Sequence, residues 1–398
     1  FWLKYSVLHT RSYLLFFRTP PTVRPIMFVS LLFAVPATGE FLSKSWRGGI
    51  TATHPFYHST ADLHQQLKSL EQDCGGLMSL STESQDGVDI DVVKLAKQGA
   101  TPKNKFMMLF GEHARELISP ESALHFVKSI CGKTEVDPGS VLDRSEFMII
   151  TNGNPKSRAK VEGGDYCLRV NERGVDLNRN WDEHFEGGNP DYVGDTNPGP
   201  KAFSEAETQI FKKLAEQYRP TSFLTIHSGT RGMYMPYAFD MDHLAPRKQK
   251  SMLQMLTKLD EEYCQCPFGA AGREVGYSCP GTCLDYVYDK LNTDYAFAFE
   301  IYYGEDDGEL KERFQEKMHG GSFLQLRDSL AHHEMRPVFE DQQSDFIQLA
   351  ASEESEAMTR YECFSLFNPD TEVKFNNTVT TWSTAYVHLA DMIAADLQ

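Results

Sequence analysis

At 398 residues, the chain can build one large core or two ordinary domains, and its 41% apolar and 12% aromatic share is that of a globular protein. A formal net charge of −17 argues against a nucleic-acid or anionic-membrane partner, since those select for clustered Lys and Arg. No stretch of about 20 apolar residues is present to span a bilayer, which leaves a peptide or a small molecule as the expected partner.

The chain opens on Phe1, and residues 1–26, with Arg11, Arg18 and Arg24, read as a tail outside the fold. From Met27 to Gly39 runs an apolar stretch of signal-peptide length that ends in small residues. Residues 27–39 are therefore expected to direct the chain to the secretory pathway, and so to secretion or a vacuolar lumen. Cys74, Cys131, Cys167, Cys264, Cys266, Cys279, Cys283 and Cys363 fit that destination, because an oxidising compartment lets disulfides persist. Their pairing is not readable. A zinc knuckle from Cys264-x-Cys266 and Cys279-x3-Cys283 is the alternative, disfavoured by the single-residue gap in the first pair. Asn376-Asn377-Thr378 has the form of a glycosylation acceptor.

From about residue 54 helical and strand-like patterns alternate, as in an α/β fold with a buried sheet. Ala61 to Glu71 reads as a helix entered at Ser59 or Thr60 and stopped by Gly75-Gly76. Val88, Ile90 and Val92 alternate with polar residues as a strand does. Lys105 to Phe110 is a second strand, followed by Gly111-Glu112-His113 and a helix with Ser119 as its expected cap and Pro120 in its first turn. Ser204-Glu205-Ala206-Glu207 reads as a capping box for a helix ending before Pro220. The short strand Phe223 to Ile226 delivers His227 at its end. In a strand over Tyr295 to Ile301, Tyr295, Phe297 and Phe299 face one way while Ala296, Ala298 and Glu300 face the other. Residues 305–361 turn acidic and polar and read as an insertion. Trp382, Tyr386, Leu389 and Ile393 then mark the apolar stripe of a last helix.

His113-x-x-Glu116 alone is a weak signal, but a catalytic zinc needs three protein ligands from His and Asp or Glu, and His227 supplies a third. The block Gly174-Val175-Asp176-Leu177-Asn178-Arg179-Asn180-Trp181 makes the pattern specific. With His113-x-x-Glu116 before it and Ile226-His227-Ser228 after it, the chain resembles the zinc metallocarboxypeptidases of the carboxypeptidase A type. The resemblance covers roughly residues 54–304 and resumes at Cys363. Phe299-Glu300-Ile301-Tyr302 and Cys363-Phe364-x-x-Phe367-Asn368-Pro369 resemble the plant-type secreted members most closely.

The resemblance implies a single α/β domain over residues 52–397, with a mixed, mostly parallel central sheet flanked by helices on both faces. It implies one Zn2+ per chain on His113, Glu116 and His227, with Glu300 as general base and acid. Asn178 and Arg179 would grip a C-terminal carboxylate, for which a guanidinium fork is suited. Arg169 would polarise the scissile carbonyl, with Arg158 and Arg173 as rivals for that role, and Tyr277 would close over the carboxylate. Leu284 would line the base of the side-chain pocket, beside Cys279 and Ala298, while Arg273, four residues before Tyr277, could reach the pocket and favour Asp or Glu instead. The activity implied is release of single, hydrophobic C-terminal residues from peptides or proteins by a monomer. An amidase or esterase on N-acyl amino acids, or a zinc-less binder of peptide ends, are the competing readings.

Overall fold

Capping and turn chemistry start and stop the first elements in the computed structural model, which describes residues 49–187, 194–304 and 360–398. The tail 1–26, the apolar stretch 27–39 and residues 305–359 of the acidic stretch lie outside the described residues. Helix α1 (Thr60–Asp73) begins with a reciprocal pair: Ser59 Oγ accepts the Asp62 N–H at 3.1 Å, and the Asp62 carboxylate accepts the Ser59 N–H at 3.3 Å. Its apolar stripe, Leu63, Leu67 and Leu70, is buried. Strands β1 (Met78–Gln85) and β2 (Val88–Leu95) form a hairpin across Asp86-Gly87, both at positive φ, as a tight primed turn demands.

The other strands and the longer helices are, in chain order, β3 (Asn104–Phe110), α2 (Ile118–Ile130), β4 (Ser145–Ile150), α3 (Pro155–Glu162), α4 (Ala206–Tyr218), β5 (Ser222–His227), β6 (Arg231–Met235), α5 (Gln249–Leu259), β7 (Phe268–Ala270), α6 (Cys283–Asp289), β8 (Tyr295–Ile301), α7 (Arg360–Phe367) and α8 (Glu372–Asp396), with short helical turns between some of them. The eight strands form one mixed sheet in the order β1-β2-β4-β3-β5-β8-β6-β7. β4, β3, β5 and β8 run parallel to one another, and β6 pairs parallel with β7, while β2 on β4 and β6 on β8 are antiparallel.

Both faces of the sheet are covered, which is why β3 reads as a continuous apolar run rather than an alternation. Phe106, Met108 and Phe110 enter one core with residues of α1, α2, α5 and α8, while Met107 and Leu109 enter the other with Trp181 and residues of α4 and α6. Trp382, Tyr386, Leu389 and Ile393 of α8 are all buried. Truncating a ring such as Trp382 in a core of this kind costs about 3–5 kcal/mol.

Three disulfides join Cys74 to Cys131, Cys167 to Cys363 and Cys264 to Cys266. The Cys264–Cys266 bond leaves no zinc knuckle, and Cys279 and Cys283 are free, buried thiols. Two expected caps are also corrected. Helix α2 starts at Ile118, and the Ser119 hydroxyl instead accepts the Gly111 N–H at 3.0 Å and donates to the Ile226 carbonyl at 2.7 Å. Helix α4 is entered at Glu205 without a side-chain cap, because Ser204 Oγ bonds the Glu205 carboxylate and accepts from Asn180.

Candidate metal centre

β3, β5 and β8 lie side by side and parallel, so the chain leaves all three at the same edge, where open α/β sheets bind ligands. The turn after β3 carries His113 and Glu116, β5 ends on His227, and Glu300 is the residue on β8 paired with His227. His113, Glu116 and His227 are buried, and each offers a ligand atom within 4.8 Å of the others. His113 Nδ1 is 2.6 Å from Glu116 Oε1, and His227 Nδ1 is 3.2 Å from both His113 Nδ1 and Glu116 Oε2.

The outward nitrogens are held by groups that motif reading did not assign. His113 Nε2 lies 3.1 Å from the carboxylate of fully buried Asp176. His227 Nε2 lies 2.8 Å from Thr225 Oγ1, which donates to buried Glu112 at 3.0 Å. Such partners fix the tautomer and aim the ring. Asp176 stood inside the quoted Gly174–Trp181 block and Glu112 beside His113, so position in the sequence was their only signal.

Arg169 reaches the same place. Its Nε and Nη2 lie 3.0 and 2.9 Å from Asp176 Oδ2, and its Nη1 is 3.8 Å from Glu116. Its rivals are elsewhere: Arg158 is buried in a network with Glu121, Glu162 and the Leu117 carbonyl, and Arg173 is an exposed side chain beside Glu205. Burial alone would raise the pKa of Glu116 and Asp176. The charges of His113 and His227 on the first, and of Arg169 and His113 on the second, outweigh it and hold both below the usual carboxylate range. Burial pushes Glu300 up to about 7, with the neighbouring Glu116 charge adding to it. The Thr230 N–H donates to the Glu300 carboxyl, whose Oε2 has no hydrogen-bond partner among the described residues.

Asn178 and Arg179 lie two and three positions after Asp176, whose Oδ1 accepts the Asn178 N–H at 2.9 Å. Asn178 Oδ1 accepts the Cys283 N–H at 3.0 Å, and Arg179 Nη1 donates to the Asn178 carbonyl at 2.8 Å. The Tyr277–Cys283 loop crosses this turn closely at Gly281 (φ 71°), where an added Cβ would fall 2.3 Å from the Arg179 carbonyl oxygen. A cavity of about 320 Å³ opens there, lined by Arg179, Glu186, Thr196, Pro198, Tyr277 and Ser278 among others, with Tyr277 48% exposed.

Leu284 sits in the first turn of α6, packed into the core with Cys279, while Ala298 packs partly buried against the same cluster. None of the three is among the residues lining that cavity. Arg273 is turned to the Met241 and Asp242 carbonyls at 3.1 and 2.9 Å.

The donor set fits a zinc ion. Zinc bonds of about 2.0–2.2 Å in a tetrahedron place ligand atoms roughly 3.3–3.6 Å apart; His227 Nδ1 lies 3.2 Å from its two neighbours, and His113 Nδ1 and Glu116 Oε1, at 2.6 Å, would part slightly around the ion. Glu112, Glu116 and Asp176 are buried carboxyls, and the Arg169 guanidinium pairs with Asp176 and lies 3.8 Å from Glu116. Comparison with known proteins agrees. Mouse carboxypeptidase A2 is 27% identical over 284 residues, covering 62% of this chain and 64% of the mouse protein. Dog carboxypeptidase B is 28% identical over 287 residues, covering 67% of this chain and 65% of the dog protein. The chain thus spans just under two thirds of the length of these relatives. The solved structure of carboxypeptidase A from Helicoverpa armigera matches 90% of this chain and 81% of its own with a TM-score of 0.63, and at 17% identity it supports the fold alone. The sequence model of the family described as zinc carboxypeptidase matches residues 63–318, well over half of the chain, and with the ligand set just described the chain belongs to the zinc carboxypeptidase family.

Proposed function

We propose that the chain is a zinc-dependent exopeptidase that hydrolyses the last peptide bond of a peptide or protein and releases a single C-terminal residue. The observation that carries this reading is the placement, along one turn, of Asp176 at the metal centre and of Arg179 on the 320 Å³ cavity three residues later. A bond held at the centre would thus lie beside a group suited to gripping a terminal carboxylate.

His113, Glu116 and His227 would hold zinc, which supplies a Lewis acid and brings the pKa of a water toward neutrality. Asn178 and Arg179 bind the substrate's carboxylate by an amide donor and a guanidinium fork. Tyr277 closes over it from its exposed position on the opposite loop. Arg169, steadied by Asp176, donates to the carbonyl oxygen as negative charge develops there. Glu300 takes the proton of the attacking water on its unpaired oxygen and returns it to the departing amine.

The test of the reading is a pair of peptides that differ only in their end. The free acid is expected to be hydrolysed and the C-terminal amide left intact, and Arg179→Ala should weaken binding of the free acid far more than it changes zinc content. Equal cleavage of acid and amide would sink the carboxylate clamp, and no cleavage of either would sink the peptidase.

The departing side chain is proposed to be hydrophobic. The Leu284, Cys279 and Ala298 positions are apolar, and an unpaired ammonium or guanidinium among them would cost several kcal/mol. Arg273, spent on two backbone carbonyls, gives no support to a preference for Asp or Glu. Across peptides varied only at the last residue, aromatic and aliphatic ends are expected to be released fastest. A preference for Lys or Arg would overturn the pocket assignment.

On the same reading residues 52–397 form the catalytic unit, acting as a monomer, and residues 27–39 lead it into the secretory pathway. Three disulfides support an oxidising destination, and no described helix is long and apolar enough to cross a membrane.

A further inference from the structure

The 113–118 turn, which carries two of the three ligands, is not held by α2 itself. Leu117, the residue before the helix, provides no side-chain cap, so the first N–H groups of α2 need partners from outside. One comes from 250 positions further on: Asn368 Oδ1 accepts the Ile118 N–H at 3.0 Å, and its Nδ2 donates to the Arg115 carbonyl at 2.8 Å. A single, fully buried amide thus bridges the backbone on both sides of Glu116.

The neighbours of Asn368 grip the same turn. The Phe367 carbonyl accepts from Ser228 Oγ at 2.7 Å, and the Ser228 N–H donates to Glu116 Oε2 at 3.2 Å. The Arg115 guanidinium lies over the Phe367 ring at 4.2 Å. From the other side, the Ala114 N–H donates to the Arg169 carbonyl at 3.0 Å and Arg115 Nη1 to the Cys167 carbonyl at 3.2 Å. The Cys167–Cys363 disulfide joins these two gripping segments.

We propose that Asn368 is a positioning residue for the metal centre: its amide, latched by the Cys167–Cys363 bond, fixes the 113–118 turn so that His113 and Glu116 face His227. The proposal rests on the zinc-site reading above but not on the peptidase reading. Removing the amide frees the turn while every ligand stays in the chain. Ligand aim is lost first, and with it the retention of the ion.

The test compares the zinc-loaded wild-type protein with Asn368→Ala and Asn368→Asp, following zinc release to an excess of chelator, the visible spectrum of the cobalt-substituted forms, and melting of the metal-free proteins. Asn368→Ala should release zinc about 10–100-fold faster, the range seen when groups supporting metal ligands are removed, and should shift the cobalt bands. Asn368→Asp, which keeps the acceptor for Ile118 and loses the donor to Arg115, should fall between. Release rates and cobalt spectra equal to wild type would overturn the proposal, as would faster release that only tracks a fall in metal-free melting. Should neither variant fold, the Cys167→Ser/Cys363→Ser protein serves: faster release is expected, and an unchanged rate overturns the latch. A wild-type protein that binds zinc but cleaves no peptide removes the peptidase reading and leaves this comparison standing. One that takes up no zinc removes both.

Discussion

Glu300→Gln is expected to lower kcat by about 10²–10⁴-fold, the usual contribution of a general base, with zinc content, melting temperature and substrate binding close to wild type. The substitution conserves shape on β8, and the Gln side-chain oxygen can still accept from the Thr230 N–H. What it loses is the unpaired oxygen that takes up a proton. The acid limb of kcat/KM should vanish with it. Burial and Glu116 push the carboxyl up to about 7, and a bound dication favours the ionised form, so in the zinc-loaded protein that limb should lie below 7. A general base works deprotonated, so activity falls as pH drops through this value. A Gln variant with wild-type kcat would make Glu300 a structural residue.

The second large effect is on His113→Ala, in which zinc and activity should disappear together. The substitution removes a ligand nitrogen, deprives Asp176 of its imidazole partner and strips Glu116 of a 2.6 Å contact. Two remaining protein ligands make a poor zinc site, since catalytic sites use three. Metal analysis after dialysis at low free zinc is the measurement. Full occupancy in the variant would remove His113 from the ligand set, whatever happened to turnover.

Much of this was legible because the informative elements are buried and local. The entry of α1 at Ser59 follows from cap chemistry, and the apolar β3 and the alternation that separates Phe297 and Phe299 from Ala298 and Glu300 follow from side-chain pattern. β1 was not legible: Met-Ser-Leu-Ser-Thr-Glu-Ser-Gln is a polar edge strand with only Met78 buried, and its conformation comes from pairing with β2 along its whole length. The metal site divides in the same way. His113, Glu116, His227 and Glu300 are found by type, order and resemblance, whereas the Asp176, Glu112 and Asn368 contacts join residues 63, 113 and 250 positions apart. The caps failed for the same reason. Ser119 and Ser204 have the right chemistry for a helix start, but partners on β5 and near Trp181 compete for their hydroxyls.

The position of α8 has a consequence for biosynthesis. Trp382 Nε1 donates to the Ile301 carbonyl at the end of β8, Asn104 of β3 donates to Ala390, and Tyr386 packs edge-on to Phe110. The strands that lead to His113 and Glu116 and carry Glu300 are therefore covered by residues made well after them, as is Asn368. While translation continues, the central strands lack the layer that buries one of their faces, and so many distant contacts close slowly. A chain stopped before Glu372 would leave one face of β3 and β8 bare, and it is expected to lack the packed core behind His113 and His227.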